Sequence, residues 1–251
     1  MRLRNKNILI FGGGSGIGKA IAVRFIEAGA KVCITGRTEE KLKAVKEEIN
    51  SPDVYYKFFD ITDIKNHNKL FLECEQIMEG LDAFVNTAAL GTNQCTGRGY
   101  EPWDITEEEW DTLTDINFKA AFFLIRNEVD YMLANGIGGN ILNIASNAAC
   151  MDIIGSYGAS KEAIIKWTRS LGKKYGHNGI IINGIAPGAT FTPMIARYAY
   201  DINQKYDRHA IERFIRPDEI AQLAFYLMSD YGEIICGHTV VADGGDKYAT
   251  L

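Results

Sequence analysis

Tyr157 and Lys161 close the run Tyr157-Gly158-Ala159-Ser160-Lys161, and on a helix that spacing stacks a phenol one turn away from an ammonium. A free phenol ionises near about pH 10, far from the working range of most proteins. A cation held beside it favours the phenolate and draws that value downward. Such a tyrosine can hand a proton to a developing alkoxide or take one from an alcohol. Tyr and Lys also meet at this spacing on many ordinary amphipathic helices, so the pair takes its meaning from the residues around it.

Those residues sit in an alternating pattern. Strand-like apolar runs occupy 8–11, 31–35, 54–59, 81–86, 140–145, 180–185 and 238–242. Between them lie helix-length amphipathic segments at 19–28, 39–50, 66–79, 106–134, 157–174 and 217–228. Several of the strands are continuous apolar runs, as a parallel sheet covered on both faces requires. Strands alternating with helices specify βαβ units with right-handed crossovers. The pattern therefore predicts a single α/β domain over 1–251, a doubly wound parallel sheet of about seven strands flanked by helices. In such sheets ligands bind beyond the carboxyl ends of the strands. Two irregular stretches, 91–104 and 194–215, follow the fourth and sixth strands and should overhang that edge as substrate loops. The first offers Gln94, Cys95, Thr96, Arg98, Tyr100 and Trp103; the second offers Met194, Ile195, Tyr198, Tyr200, Tyr206 and His209. These groups suit a moderately hydrophobic carbonyl compound or secondary alcohol, and packing of the loops would explain them equally well.

The run Phe11-Gly12-Gly13-Gly14-Ser15-Gly16-Ile17-Gly18 follows the first strand and opens the first helix. Glycines there allow a tight turn and let backbone N–H groups approach a pyrophosphate at a helix N-terminus. In that context the turn points to a dinucleotide. The second strand ends in Thr35-Gly36-Arg37-Thr38, with no carboxylate before Glu39. An acidic residue there would bind a ribose 2′-hydroxyl and repel a 2′-phosphate, whereas an arginine fork pairs with the phosphate. Arg37 thus favours NADP(H), with NAD(H) possible.

Composition narrows the class. The chain has 251 residues, 47% hydrophobic and 24% charged, with a formal net charge of −5. A nucleic-acid binder would ordinarily be basic. The first residues lack a signal-peptide core, and no stretch approaches the length of a membrane span. Five isolated cysteines and four dispersed histidines suggest neither a disulfide framework nor a metal site. The expectation is a cytoplasmic enzyme acting on a small molecule, without nucleic acid, membrane or metal.

In this order the motifs resemble the short-chain dehydrogenase/reductase family over essentially the whole chain. Gly12, Gly16 and Gly18 match its glycine motif, with Phe11 where threonine is usual, and Gly14, Ser15 and Ile17 belong to the same turn. Asp60, followed by Ile61, matches the aspartate that meets adenine. Asn86 and Ala88 match two positions of the usual Asn-Asn-Ala-Gly, the other two being Thr87 and Ala89. Asn117, Ser146, Tyr157 and Lys161 match the catalytic positions. Pro187, Gly188, Thr190 and Thr192 fall in the segment that cradles the nicotinamide carboxamide. The segments Arg216 to Ala221 and Asp243-Gly244-Gly245 match C-terminal signatures.

The resemblance implies a Rossmann fold and hydride transfer between nicotinamide and a carbonyl or alcohol carbon. It implies Tyr157 as general acid and base, and Ser146 as hydrogen-bond partner of the reacting oxygen. Lys161 would tune Tyr157 and hold the ribose, and Asn117 would hold a water beside Lys161. Ser146 precedes Tyr157 by somewhat less than is usual in the family, leaving Ser156 or Asn147 as substitutes. The resemblance also implies a homotetramer or homodimer built on helices 106–134 and 157–174. A 3-oxoacyl-thioester reductase and a catalytically silent dinucleotide sensor are the competing readings. Arg98 is a candidate for an anionic substrate group, or a solvated loop arginine.

Overall fold

The computed structural model describes residues 3–98, 102–151 and 155–249. Seven strands form one sheet: β1 (Asn7–Phe11), β2 (Lys31–Gly36), β3 (Val54–Phe58), β4 (Ala83–Asn86), β5 (Gly139–Ile144), β6 (Ile180–Pro187) and β7 (Thr239–Ala242). Their order is β3-β2-β1-β4-β5-β6-β7 and every pairing is parallel. The order reverses between β1 and β4, so the sheet parts there and leaves a crevice at its carboxyl edge.

Strand periodicity sorts side chains into two layers. Ile8 and Ile10 point to one face, where they join α1 (Gly16–Glu27), α2 (Glu39–Ile49) and α8 (Pro217–Met228) through Ile21, Leu42 and Ile220. Leu9 and Phe11 point to the other, against α3 (His67–Met78) and α6 (Ala121–Asn135). The helix α7 (Ser156–Tyr175) completes this second layer, with Ile164 packed near Ala145 and Ala186. Phe71 of α3 is a hub of the second layer, its ring 5.0 Å from Phe84 and 5.7 Å from Tyr131. Cys33 and Cys74, isolated in sequence, meet there as thiols with sulfurs 3.6 Å apart.

The expected helix 106–134 is interrupted. It divides into α5 (Glu107–Thr114) and α6, with a π-helical turn at Asp115–Ala120 between them. Such a turn sits inside an otherwise α-helical run, and no turn residue such as Gly or Pro marks it in the sequence. The loop 91–104 holds the short helix α4 (Thr92–Thr96), and the stretch 194–215 is tied down by bridges pairing Thr190 with Ile215, Lys205 with Arg213 and His209 with Asp246. Among the described residues no helix is long and apolar enough to cross a membrane. Nor does any group of three or more His, Cys, Asp or Glu there form a metal site.

Candidate active site

One cavity of about 450 Å³ runs along the carboxyl edge of the sheet. Its floor comes from strand ends: Gly12 after β1, Arg37 after β2, Asp60 after β3, Ala88 after β4, Ser146 after β5 and Gly188 after β6.

At the end near β1 and β2 the wall is largely backbone. The amides of Gly12 and Gly13 both donate to the Thr35 carbonyl at 3.0 Å, folding the turn back onto β2. Gly12 has φ +83, and a Cβ there would lie 2.7 Å from the Ala88 amide nitrogen. Gly18 packs directly on the Gly12 carbonyl, which no larger residue could do. Ser15 precedes α1 but its side chain caps nothing. The first-turn N–H groups therefore keep their donors for a ligand, and Ser15, Gly16, Ile17 and Gly18 all line the cavity. This is a cradle that fits a pyrophosphate. Arg37 is half exposed and reaches Asp60 Oδ2 at 4.0 Å, while Asp60 Oδ1 accepts from the Thr62 amide and hydroxyl. Lys41, in the first turn of α2, adds a second cation to this wall. The residue types fit a dinucleotide.

The middle of the cavity carries the candidate catalytic residues. Tyr157 and Lys161 rise from the first turns of α7, with the Lys161 ammonium 5.7 Å from the Tyr157 ring centre. Lys161 is 3% exposed and donates to the Ile144 carbonyl at 3.2 Å. Burial lowers its pKa to about 8. Ser146 shares the wall, its Oγ accepting from the Ala148 amide at 3.2 Å. Ser156 is buried away from this wall, so Ser146 is the serine beside Tyr157 on the cavity lining.

Three expected site residues lie off the wall. The Asn117 side chain, carried by the π-helical turn, clamps Leu90 by donating to its carbonyl at 2.7 Å and accepting from its amide at 2.8 Å. Both polar atoms of its amide thus fix the loop after β4, and each keeps one further hydrogen-bonding position. Asn86 donates to Glu128 at 2.9 Å and Asn143 at 2.8 Å, joining β4, α6 and β5 beneath the site. Burial raises the Glu128 carboxyl well above the usual carboxylate range, the Asn86 bond opposing it. Gly14 sits behind the turn, beside Lys41 and Leu42. By contrast Ile61, Pro187, Gly188, Thr190 and Thr192 all line the cavity.

The far end is built from side chains. Gln94 comes from the first loop; Met194, Ile195, Tyr198 and Tyr206 come from the second. Cys95, Thr96, Trp103, Tyr200 and His209 do not reach the wall, and Tyr100 lies outside the described residues. Arg98 is spent on structure: it donates to Glu109 Oε2 at 2.7 Å and to the Asp104 carbonyl, and Glu109 caps α5 through Thr106. The arginine that does line this end is Arg208, whose Nε donates to both Asp246 oxygens at 2.9 Å. Burial pushes Asp246 upward, but Arg208, the Tyr248 amide and Asn147 outweigh it and hold the carboxyl below its usual value. Arg208, Asp246 and Lys41 escape sequence reasoning. Lys41 had a signal, its place one turn beyond Arg37; the Arg208–Asp246 pair had none.

Comparisons with known proteins identify the family. The family model described as enoyl-(acyl carrier protein) reductase matches residues 12–246. The chain is 29% identical to a 3-oxoacyl-acyl-carrier-protein reductase of Aquifex aeolicus over 251 residues, covering 98% of each. It is 30% identical to an NADP-dependent (R)-specific alcohol dehydrogenase of Lentilactobacillus kefiri over 254 residues, covering 97% of each. A crystal structure of 3-ketoacyl-(acyl-carrier-protein) reductase from Brucella melitensis, complexed with NADH, superposes with a TM-score of 0.85 at 25% identity, covering 97% of this chain and 98% of that one. The chain belongs to the short-chain dehydrogenase/reductase family, the nicotinamide-dependent oxidoreductases that act on CH–OH and C=O groups.

Proposed function

We propose that this protein is an NADP(H)-dependent oxidoreductase that interconverts a carbonyl and a secondary alcohol on a moderately hydrophobic small molecule. The observation that carries the reading is one cavity lined by the glycine turn, Arg37 and Lys41 at one end and by Ser146, Tyr157 and Lys161 at its centre. Bound nicotinamide would supply or accept the hydride. Tyr157 donates a proton to the carbonyl oxygen in reduction and removes it from the alcohol in oxidation. Ser146 Oγ donates a hydrogen bond to the same oxygen, fixing it and stabilising the charge that develops there. Lys161 stays mostly protonated at neutral pH and places its charge beside the phenol. Asn117 acts at one remove, holding the loop after β4 through Leu90. A silent sensor would have no use for Ser146, Tyr157 and Lys161 on a common wall.

The test follows nicotinamide absorbance over a panel of ketones, secondary alcohols and 3-oxoacyl thioesters. Turnover is expected with NADPH on at least one carbonyl compound, and Tyr157→Phe should lower kcat by roughly 10²–10⁴-fold while cofactor binding persists. Near-parental turnover by that variant would overturn the proton-donor role, and silence across the panel despite cofactor binding would favour the sensor. Thioesters turned over above simple ketones would favour the acyl-carrier reading. Trp167 meets Phe118 and Phe122 edge-to-face at 5.1 and 5.2 Å between ring centres, and the two phenylalanines are 44% and 40% exposed. That open aromatic face supports a homotetramer, which light scattering on the same preparation checks.

A further inference from the structure

The Arg208 guanidinium is firmly held and yet has donors to spare. Its Nε edge is taken by Asp246, whose carboxylate is 2% exposed and also accepts from Asn147 Nδ2 at 2.9 Å and the Tyr248 amide at 3.0 Å. The carboxylate is therefore saturated. The arginine is not: Nη2 meets only the Met151 sulfur at 2.7 Å, a weak acceptor, and among the described residues Nη1 has no acceptor at all. About a third of the side chain remains open, and it opens onto the cavity. The Tyr248 ring lies 5.2 Å from the guanidinium and helps to hold it.

This group is a neighbour of the reaction centre. Arg208, Tyr157, Tyr198 and Tyr206 all line the same cavity, and the Tyr198 phenol, pushed up first by burial, feels Tyr206, Tyr157 and the opposing charge of Arg208. Asp246 is the only acidic side chain among the described residues lining this end; the other acid of the cavity wall, Asp60, stands by Arg37. With Lys161 also cationic, an anion arriving here meets no uncompensated carboxylate among the described residues. A strap between the second loop and the C-terminal segment would need the Nε edge alone. The spare Nη edge is a planar donor fork of the kind that pairs with a carboxylate or a phosphate.

We propose that the substrate carries an anionic oxygen group, received by the Nη edge of Arg208 while its carbonyl faces Tyr157 and Ser146. This rests on the oxidoreductase reading and narrows its substrate class. Asp246 is then a positioning residue: it orients the fork and is itself fixed by Asn147, the residue after Ser146.

The experiment compares twins that differ only in charge. A series of oxo acids with increasing distance between carbonyl and carboxylate is run against the corresponding methyl esters. The 3-oxoacyl thioester of coenzyme A, which bears phosphates, is run against the neutral thioester of N-acetylcysteamine. At least one anionic member should exceed its neutral twin in kcat/KM by roughly 10–100-fold. A preference confined to the free acids assigns a carboxylate, and one confined to the coenzyme A arm assigns a phosphate. Arg208→Gln should collapse the ratio toward unity, and Arg208→Lys should keep part of it. Neutral twins turned over as well as anions across both arms would overturn the proposal, as would an Arg208→Gln variant that slows both twins equally. Calorimetric binding of acid and ester to the NADP⁺ complex makes the same comparison without turnover. An acid bound no better than its ester would sink the proposal there, whereas preferential binding without turnover would sink only the oxidoreductase reading.

Discussion

Where β1 and β2 end, the cavity wall is backbone drawn from one short stretch, Gly12 to Gly18, with Arg37 and Lys41 close by. Where β5 to β7 end, it is side chains brought from far apart: Asn147 bonds Asp246 across 99 residues, and Arg208 meets Met151 across 57. The first end recognises by close approach, so its sensitive feature is the absence of a Cβ. The second recognises by charge and shape, so its sensitive feature is which side chain stands where. A site of the first kind suits a ligand common to a family, because any sequence that makes the turn makes the site. A site of the second kind can change with a few loop residues while the sheet stays as it is.

Lys161 lies at the seam between the two ends, and replacing it should produce the largest effects. Lys161→Met is expected to lower turnover by roughly 10²–10⁴-fold, since the phenol loses its neighbouring charge. The same change should raise the stability of the cofactor-free protein. Burial lowers the folded-state pKa to about 8, whereas an unfolded lysine titrates near about 10.4. Between these values the unfolded chain binds more protons, so wild-type stability rises with pH across that window. The cost of the buried ammonium is fully present below it. The variant should lack this slope and be more stable at pH 7 by up to roughly 3 kcal/mol. Urea melts at pH 7 and pH 10 check this, and a less stable variant at pH 7 would mean that the Ile144 bond outweighs desolvation.

A pair of glycines in one turn tests the backbone end. Gly12→Ala forces a Cβ to 2.7 Å from the Ala88 amide at φ +83, and should cost roughly 1–3 kcal/mol. Gly14→Ala meets nothing nearer than 3.5 Å and should change stability by less than about 0.5 kcal/mol. Thermal melts compare the two. Equal losses would mean that the turn is rigid throughout, and that the contact with Ala88 is not what sets it.

The same contrast explains what could be foreseen. The seven strands were legible because buried parallel strands are continuous apolar runs between turn residues. The glycine turn and the Tyr157–Lys161 pair were legible because each sits in a local motif whose spacing sets its geometry, whereas Ser146 was legible only through the family resemblance. The π-helical turn around Asn117 was not, since the amphipathic pattern does not mark it, and only the fold shows the Asn117 side chain bonded to Leu90. Arg98 and Arg208 show the limit most sharply. Both are loop arginines with no motif, and only the fold decides that one pairs with Glu109 while the other stands over the site.

Arg37 gives the smallest expected effect and the finest test of the backbone end. Its guanidinium is half exposed and its ion pair with Asp60 spans 4.0 Å, so that pair adds little to stability. Its value would lie in the 2′-phosphate, which a carboxylate at the same place repels. Arg37→Asp should leave the melting temperature nearly unchanged and lower the preference for NADPH over NADH by roughly 10-fold, read as the ratio of kcat/KM values. Lys41 limits the size of that change, because it still offers a cation from the first turn of α2. If Lys41→Ala moves the ratio further than Arg37→Asp does, the phosphate is held from the helix and not from the strand end. If neither moves it, the cofactor end reads only what both dinucleotides share, and discrimination passes to the side-chain end of the cavity.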